Sequence, residues 1–173
     1  MDLVRYLMAS RVGNLNNLEN QSRYDIMIFD FPDGYPVGGI NLGFGKTPKR
    51  ISGIQKVSQV FVKALMTSLG SDVVNNTRGT GFPGFTGTHN IQTTNDSEAV
   101  SILTAAVQKA EEQAKSTLNN ISEGRTSQLE SAQLINVEQK DDYTSVNIRI
   151  LTRAGETAPI ALPFTSLGIQ VNA

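Results

Sequence analysis

Residues 128–153 alternate apolar and polar side chains twice about a charged turn, and no other stretch of the chain is so regular. Side chains on an extended backbone leave on opposite faces in succession. Leu129, Ser131, Gln133, Ile135 and Val137 are therefore expected on one face of a strand, and Ala132 and Leu134 on the other. Apolar residues occur in both sets, so this strand is expected to be covered on both sides. Lys140, Asp141 and Asp142 interrupt the run, after which Val146, Ile148 and Ile150 resume it against Ser145, Asn147 and Arg149. The pattern predicts a β-hairpin. Residues 157–164 follow a turn at Gly155 and carry Pro159 and Pro163, which have no N–H to give a ladder, so a third strand is predicted at the edge of the sheet.

Upstream, residues 24–31 read as a strand with Ile26 and Ile28 on one face and Met27, Phe29 and Phe31 on the other, ending at the turn signature Pro32-Asp33-Gly34. The next residues, to Arg50, hold glycines and prolines and close on the basic cluster Lys46, Lys49 and Arg50, which predicts a long loop. Ser52 followed by Gln55 has the spacing of a capping box. Ile54, Val57, Phe61, Ala64, Leu65 and Leu69 then recur at helical spacing up to Gly70, predicting a helix over 53–69. A second Gly-, Thr- and Asn-rich loop is expected over 75–94, with Phe82, Pro83 and Phe85 as its anchors. Loops of about 20 residues are uncommon in compact domains and are usually functional or partly disordered. A second helix starts at Asn95 or Ser97. Its stripe of mostly small residues, Ala99, Leu103, Ala106 or Val107, Ala110, Ala114 and Leu118, continues to Ile121, and Gly124 is its expected end.

These elements predict an α+β fold: an antiparallel sheet with a C-terminal hairpin, two main helices packed on it, and long Gly-rich loops. The 173 residues, 39% of them hydrophobic, fit a single domain: an arm over 1–23, a core over 24–164 and a tail over 165–173. The chain has no cysteine, so neither disulfides nor thiolate metal sites stabilise it. Fifteen basic and sixteen acidic residues give a net charge of −1, too little for a broad field that would gather nucleic acid or anionic membrane. No run of the sequence is apolar and long enough to span a bilayer. Protein partners are expected.

Chemistry is sparsely signalled. Gly43-Phe44-Gly45-Lys46-Thr47 resembles the end of a phosphate-binding loop, but the leading glycine would fall on Ile40, and Pro48 obstructs the helix that must follow. His89 is the single histidine and lies in a loop, where it reads as a solvated side chain. Asp30 to Gly34 lacks the alternating oxygen ligands of a calcium loop. Cofactor, metal and catalytic sites are therefore expected to be absent. Among carboxylates, Glu111, Glu112 and Glu123 could form the pair a glycoside hydrolase needs, although Lys109 and Lys115 beside the first two suggest a solvated helix face.

The order of parts is a strand, a loop, a helix ending near Thr67-Ser68-Leu69-Gly70, a Gly/Pro loop, a second helix, Glu123-Gly124-Arg125 and a β-hairpin. It resembles the gene-25-like wedge family of contractile-tail baseplates, found in contractile phages, R-type tailocins and type VI secretion systems. Thr67 and Gly70 match the family's Thr-x-x-Gly-Glu signature, with Ser71 in place of the glutamate. Glu123 and Arg125 match its Glu-Pro-Arg signature, with Gly124 in place of the proline. The resemblance implies a structural subunit of the virion tail baseplate, assembled in the bacterial host cytoplasm. Its partners would be the larger baseplate wedge subunits and the tail sheath protein, with tail hub or tube proteins as further candidates; nucleic acid, membrane and cofactors have no part. Glu123 and Arg125 would dock on the helical core bundle of the larger subunits. The strand bearing Leu129, Gln133, Ile135 and Val137 would receive a sheath strand. A peptidoglycan-cleaving, lysozyme-like tail enzyme is the alternative from another functional class.

Overall fold

The computed structural model describes residues 25–30, 41–42, 50–84, 97–119, 124–140 and 143–164. In chain order its elements are β1 (Asp25–Ile26), β2 (Phe29–Asp30), β3 (Asn41–Leu42), β4 (Arg50–Ile51), α1 (Gly53–Met66), α2 (Ser97–Leu118), a 3-10 turn (Arg125–Ser127), β5 (Leu129–Lys140), β6 (Tyr143–Thr152) and β7 (Thr157–Phe164). The fold is α+β, with antiparallel pairing throughout the named strands.

The three-stranded sheet has the order β5-β6-β7, which places the proline-bearing β7 at an edge as expected. Val146, Ile148 and Ile150 on β6 are buried, with Ile160 and Leu162 of β7 beside them. Strand β5 departs from simple alternation. Its register against β6 shifts between Leu129 and Ser131 and again between Leu134 and Asn136, so Glu130 and Ile135 are extra residues on that strand. Each bulge moves the following side chains to the other face. The buried side of β5 is therefore Leu129, Ala132 and Val137, with Leu134 packed against it. Gln133 is exposed and Ile135 is 47% exposed. The expected grouping of Leu129 and Val137 with Ser131, Gln133 and Ile135 is thus corrected.

The helices form the second layer. α2 packs on β5 and on α1, and α1 also reaches β6 and β7. On α2 the buried residues are Ala99, Leu103, Ala106, Val107, Ala110, Ala114 and Leu118, the expected stripe. Its alanines let the α1 backbone approach closely. Residues 120–123, where the stripe was expected to run on, lie outside the described residues.

α1 buries a broader arc, including Val57, Phe61, Val62 and Leu65, because it has neighbours on two sides. One neighbour is the start of the chain's described part. The Gln59 carboxamide is 2% exposed; its Oε1 accepts the Ile28 N–H at 2.6 Å, and its Nε2 donates to the Ile26 carbonyl at 2.9 Å. A glutamine thus substitutes for a paired strand. The expected capping box does not form. Ser52 occupies the N-cap without a side-chain bond and Gln55 is exposed, while the Gly53 N–H donates to Ser127 Oγ, 3.2 Å away, in the 3-10 turn. α1 also ends at Met66, earlier than expected, because Thr67 turns to an extended conformation and begins a pairing with Thr80. Leu69 is consequently 55% exposed.

The expected 24–31 strand is two short strands. β1 pairs with β4 and β2 with β3, so the expected long loop up to Arg50 contains strand residues at 41–42 and 50. Ile26 is 56% exposed.

Candidate functional site

Arg125 opens the 3-10 turn between α2 and the hairpin. The turn is held by the Ser127 N–H donating to the Gly124 carbonyl at 2.9 Å, and by the fully buried Ser127 hydroxyl that receives Gly53. These bonds fix the backbone on both sides of Arg125, whose side chain is exposed and whose guanidinium has no acceptor among the described residues. Glu123 lies outside the described residues. The turn therefore presents a planar, five-donor cation on a rigid base, a group suited to bidentate recognition of a carboxylate.

The two outer edges of the sheet differ. At β5, the Ala132 N–H donates to Glu111 Oε2 at 2.9 Å, and the Leu129 carbonyl accepts a bond from Asn119 Nδ2 at 3.3 Å. Glu111 of α2 and Asn119, just past its end, thus occupy the start of that edge. The Ala132 N–H points away from β6, so its partner Ile150 must turn its backbone groups toward β7 and Ala158. Alternation then directs the backbone groups of Pro159, Ala161 and Pro163 outward, where two of the three have no N–H to offer. The β7 edge resists added strands. On β5, an incoming strand meets Glu111 and Asn119 before it meets the backbone at Leu129 and Ala132. Leu129 and Val137, expected at a partner surface, bury their side chains in this chain's own core, whereas Gln133 and Ile135 remain outside.

The sheet face away from the helices carries a shallow groove of about 390 Å³, bordered by Ile135, Asn136, Asn147, Arg149, Pro159 and Ala161. Asn147 Nδ2 donates to Asn136 Oδ1 at 2.7 Å across its floor.

Of the carboxylates considered for catalysis, Glu111 is committed elsewhere: Oε2 holds the Ala132 N–H, and Oε1 accepts from Lys115 Nζ at 2.6 Å. Glu112 is exposed and borders a polar hollow with Arg78, Gln113 and Thr117. Among the described residues no group of three or more His, Asp or Glu side chains could hold a metal ion, and no helix is long and apolar enough to cross a membrane. His89 and the 43–47 stretch lie outside the described residues.

Several ordering residues carried no clear sequence signal. Gln113 clamps Gly79 through both amide atoms, accepting its N–H at 3.0 Å and donating to its carbonyl at 3.0 Å. Asp72 Oδ1 accepts the N–H groups of Val74 and Asn75 at 3.0 and 3.2 Å, and those two bonds, then Arg78, hold its carboxyl below the ordinary value of 3.8. The start of the expected 75–94 loop is therefore built rather than loose, and Phe82 is fully buried as its anchor.

Compared with known proteins, the chain matches no family model, no curated protein and no solved structure.

Proposed function

We propose that this chain is a structural wedge subunit of a contractile-tail baseplate, located in the virion tail, where it joins the core bundle of the larger wedge subunits to the first ring of sheath. The observation that carries the reading is Arg125, an exposed guanidinium without an acceptor among the described residues, on a turn fixed between the helical layer and the hairpin. A cation held on a rigid base, without an acceptor among the described residues, is suited to a directional protein contact. The order of elements and the matches at Thr67, Gly70 and Arg125 support the same reading. Sheath recruitment would use the β5 edge rather than the proline-bearing β7 edge, with Glu111 and Asn119 lying across the start of β5. A peptidoglycan-cleaving role has less support, because both oxygens of Glu111 are engaged in holding the fold.

Arg125→Ala should melt within about 1 °C of wild type, as expected for a surface change that opens no cavity. Its co-purification with the larger wedge subunits should fall at least about tenfold, since losing a charge-assisted contact costs about 1.5–3 kcal/mol. A variant that unfolds, while its folded fraction still assembles, would make Arg125 a structural residue and remove the main support for the reading.

A further inference from the structure

The loop after α1 ends in an apolar point. Val73 and Val74 are 99% and 96% exposed at its tip, and Leu69 and Met66 are partly exposed at its base. Exposed valines on a mobile loop would mean little, but this loop is braced. Its stem is laced by Thr80 N–H to the Thr67 carbonyl at 2.8 Å and Leu69 N–H to the Thr80 carbonyl at 3.0 Å, with the Thr80 hydroxyl donating to the Leu65 carbonyl at 2.6 Å. Gln113 pins Gly79 to α2, and Asp72 ties down the backbone of Val74 and Asn75. Valine has few rotamers to lose, so little ordering remains to oppose binding.

Charge narrows the partner. Between Leu69 and Thr77 the single charged residue is Asp72, and Arg78 pairs with it at 3.6 Å, leaving the tip electrically neutral. Anionic lipid is drawn to unpaired basic residues, which this tip lacks. Asn75, Asn76 and Thr77 surround the valines with uncharged donors and acceptors instead. We infer that Val73 and Val74 form a preorganised anchor that inserts into an apolar socket with a neutral polar rim on a protein partner. Resting on the wedge reading, that partner is one of the larger wedge subunits, met at a surface separate from Arg125.

The test places a benzophenone amino acid at 73, at 74 or, as control, at Glu98 in the full chain, co-expressed with the larger wedge subunits and irradiated. Positions 73 and 74 should give an adduct to a wedge subunit and the control should not. In parallel, the Val73→Asp/Val74→Asp double variant should lower recovery of the wedge complex at least about tenfold and leave its melting unchanged, because both side chains are outside the core. Wild-type chain that never joins the wedge subunits would overturn the wedge reading and the anchor with it. Wild-type assembly that survives both aspartates would overturn the anchor alone. So would adducts confined to a second copy of this chain, or aspartate-sensitive binding to phosphatidylcholine/phosphatidylglycerol vesicles.

Discussion

Gly79 shows how closely one position can be prescribed. Its φ of +98° belongs to the region that side chains avoid, and a Cβ there would stand 2.4 Å from the Ser68 carbonyl oxygen. Gly79→Ala should therefore destabilise the fold by about 2–3 kcal/mol in chemical denaturation, with the damage centred on the 67–80 pairing. Asp72, in the same loop, offers a test by pH. Its depressed folded pKa means that its contribution is present above the unfolded value near 3.8 and is lost as the pH falls through the lower folded value. An NMR titration should place its midpoint below 3.8, and Arg78→Ala should move that midpoint less than the two backbone N–H groups do, since those are the larger causes. The need for glycine at 79 was not legible in the sequence, because it depends on how near Ser68 comes in space.

The hairpin and the helices were legible as elements because local periodicity encodes them. The β6 alternation and the α2 stripe are both found as read, from Val146 to Ile150 and from Ala99 to Leu118. Long-range pairings were not. Two bulges rearrange the faces of β5, Ser127 replaces the expected Ser52 cap, and Gln59 and Gln113 bond to backbone 31 to 34 residues away. The place of Arg125 between α2 and the hairpin was legible in the sequence, whereas burial of Leu129 and Val137 followed from the bulges. Mutation can check the faces directly. Leu129→Ala should cost about 2–5 kcal/mol, as for a leucine removed from a packed core, while Gln133→Ala should stay within about 0.5 kcal/mol. Strict alternation would put both on one face, so similar losses from the two variants would argue against the bulged register.

At the scale of the whole molecule, the helices α1 and α2 pack on one face of the three-stranded sheet. Arg125, the β5 edge and the apolar tip at Val73 lie on different elements. With a net charge of −1 the chain has no long-range field to gather partners, so assembly would depend on these short-range contacts. Electron microscopy of contractile tails carrying a gold-labelled copy of this chain addresses the proposed role most directly. We expect the label at the baseplate end, in the layer where the sheath begins, on tails whose sheath is complete. Label absent from that layer, together with complete sheath on tails lacking the chain, would contradict the proposed wedge role.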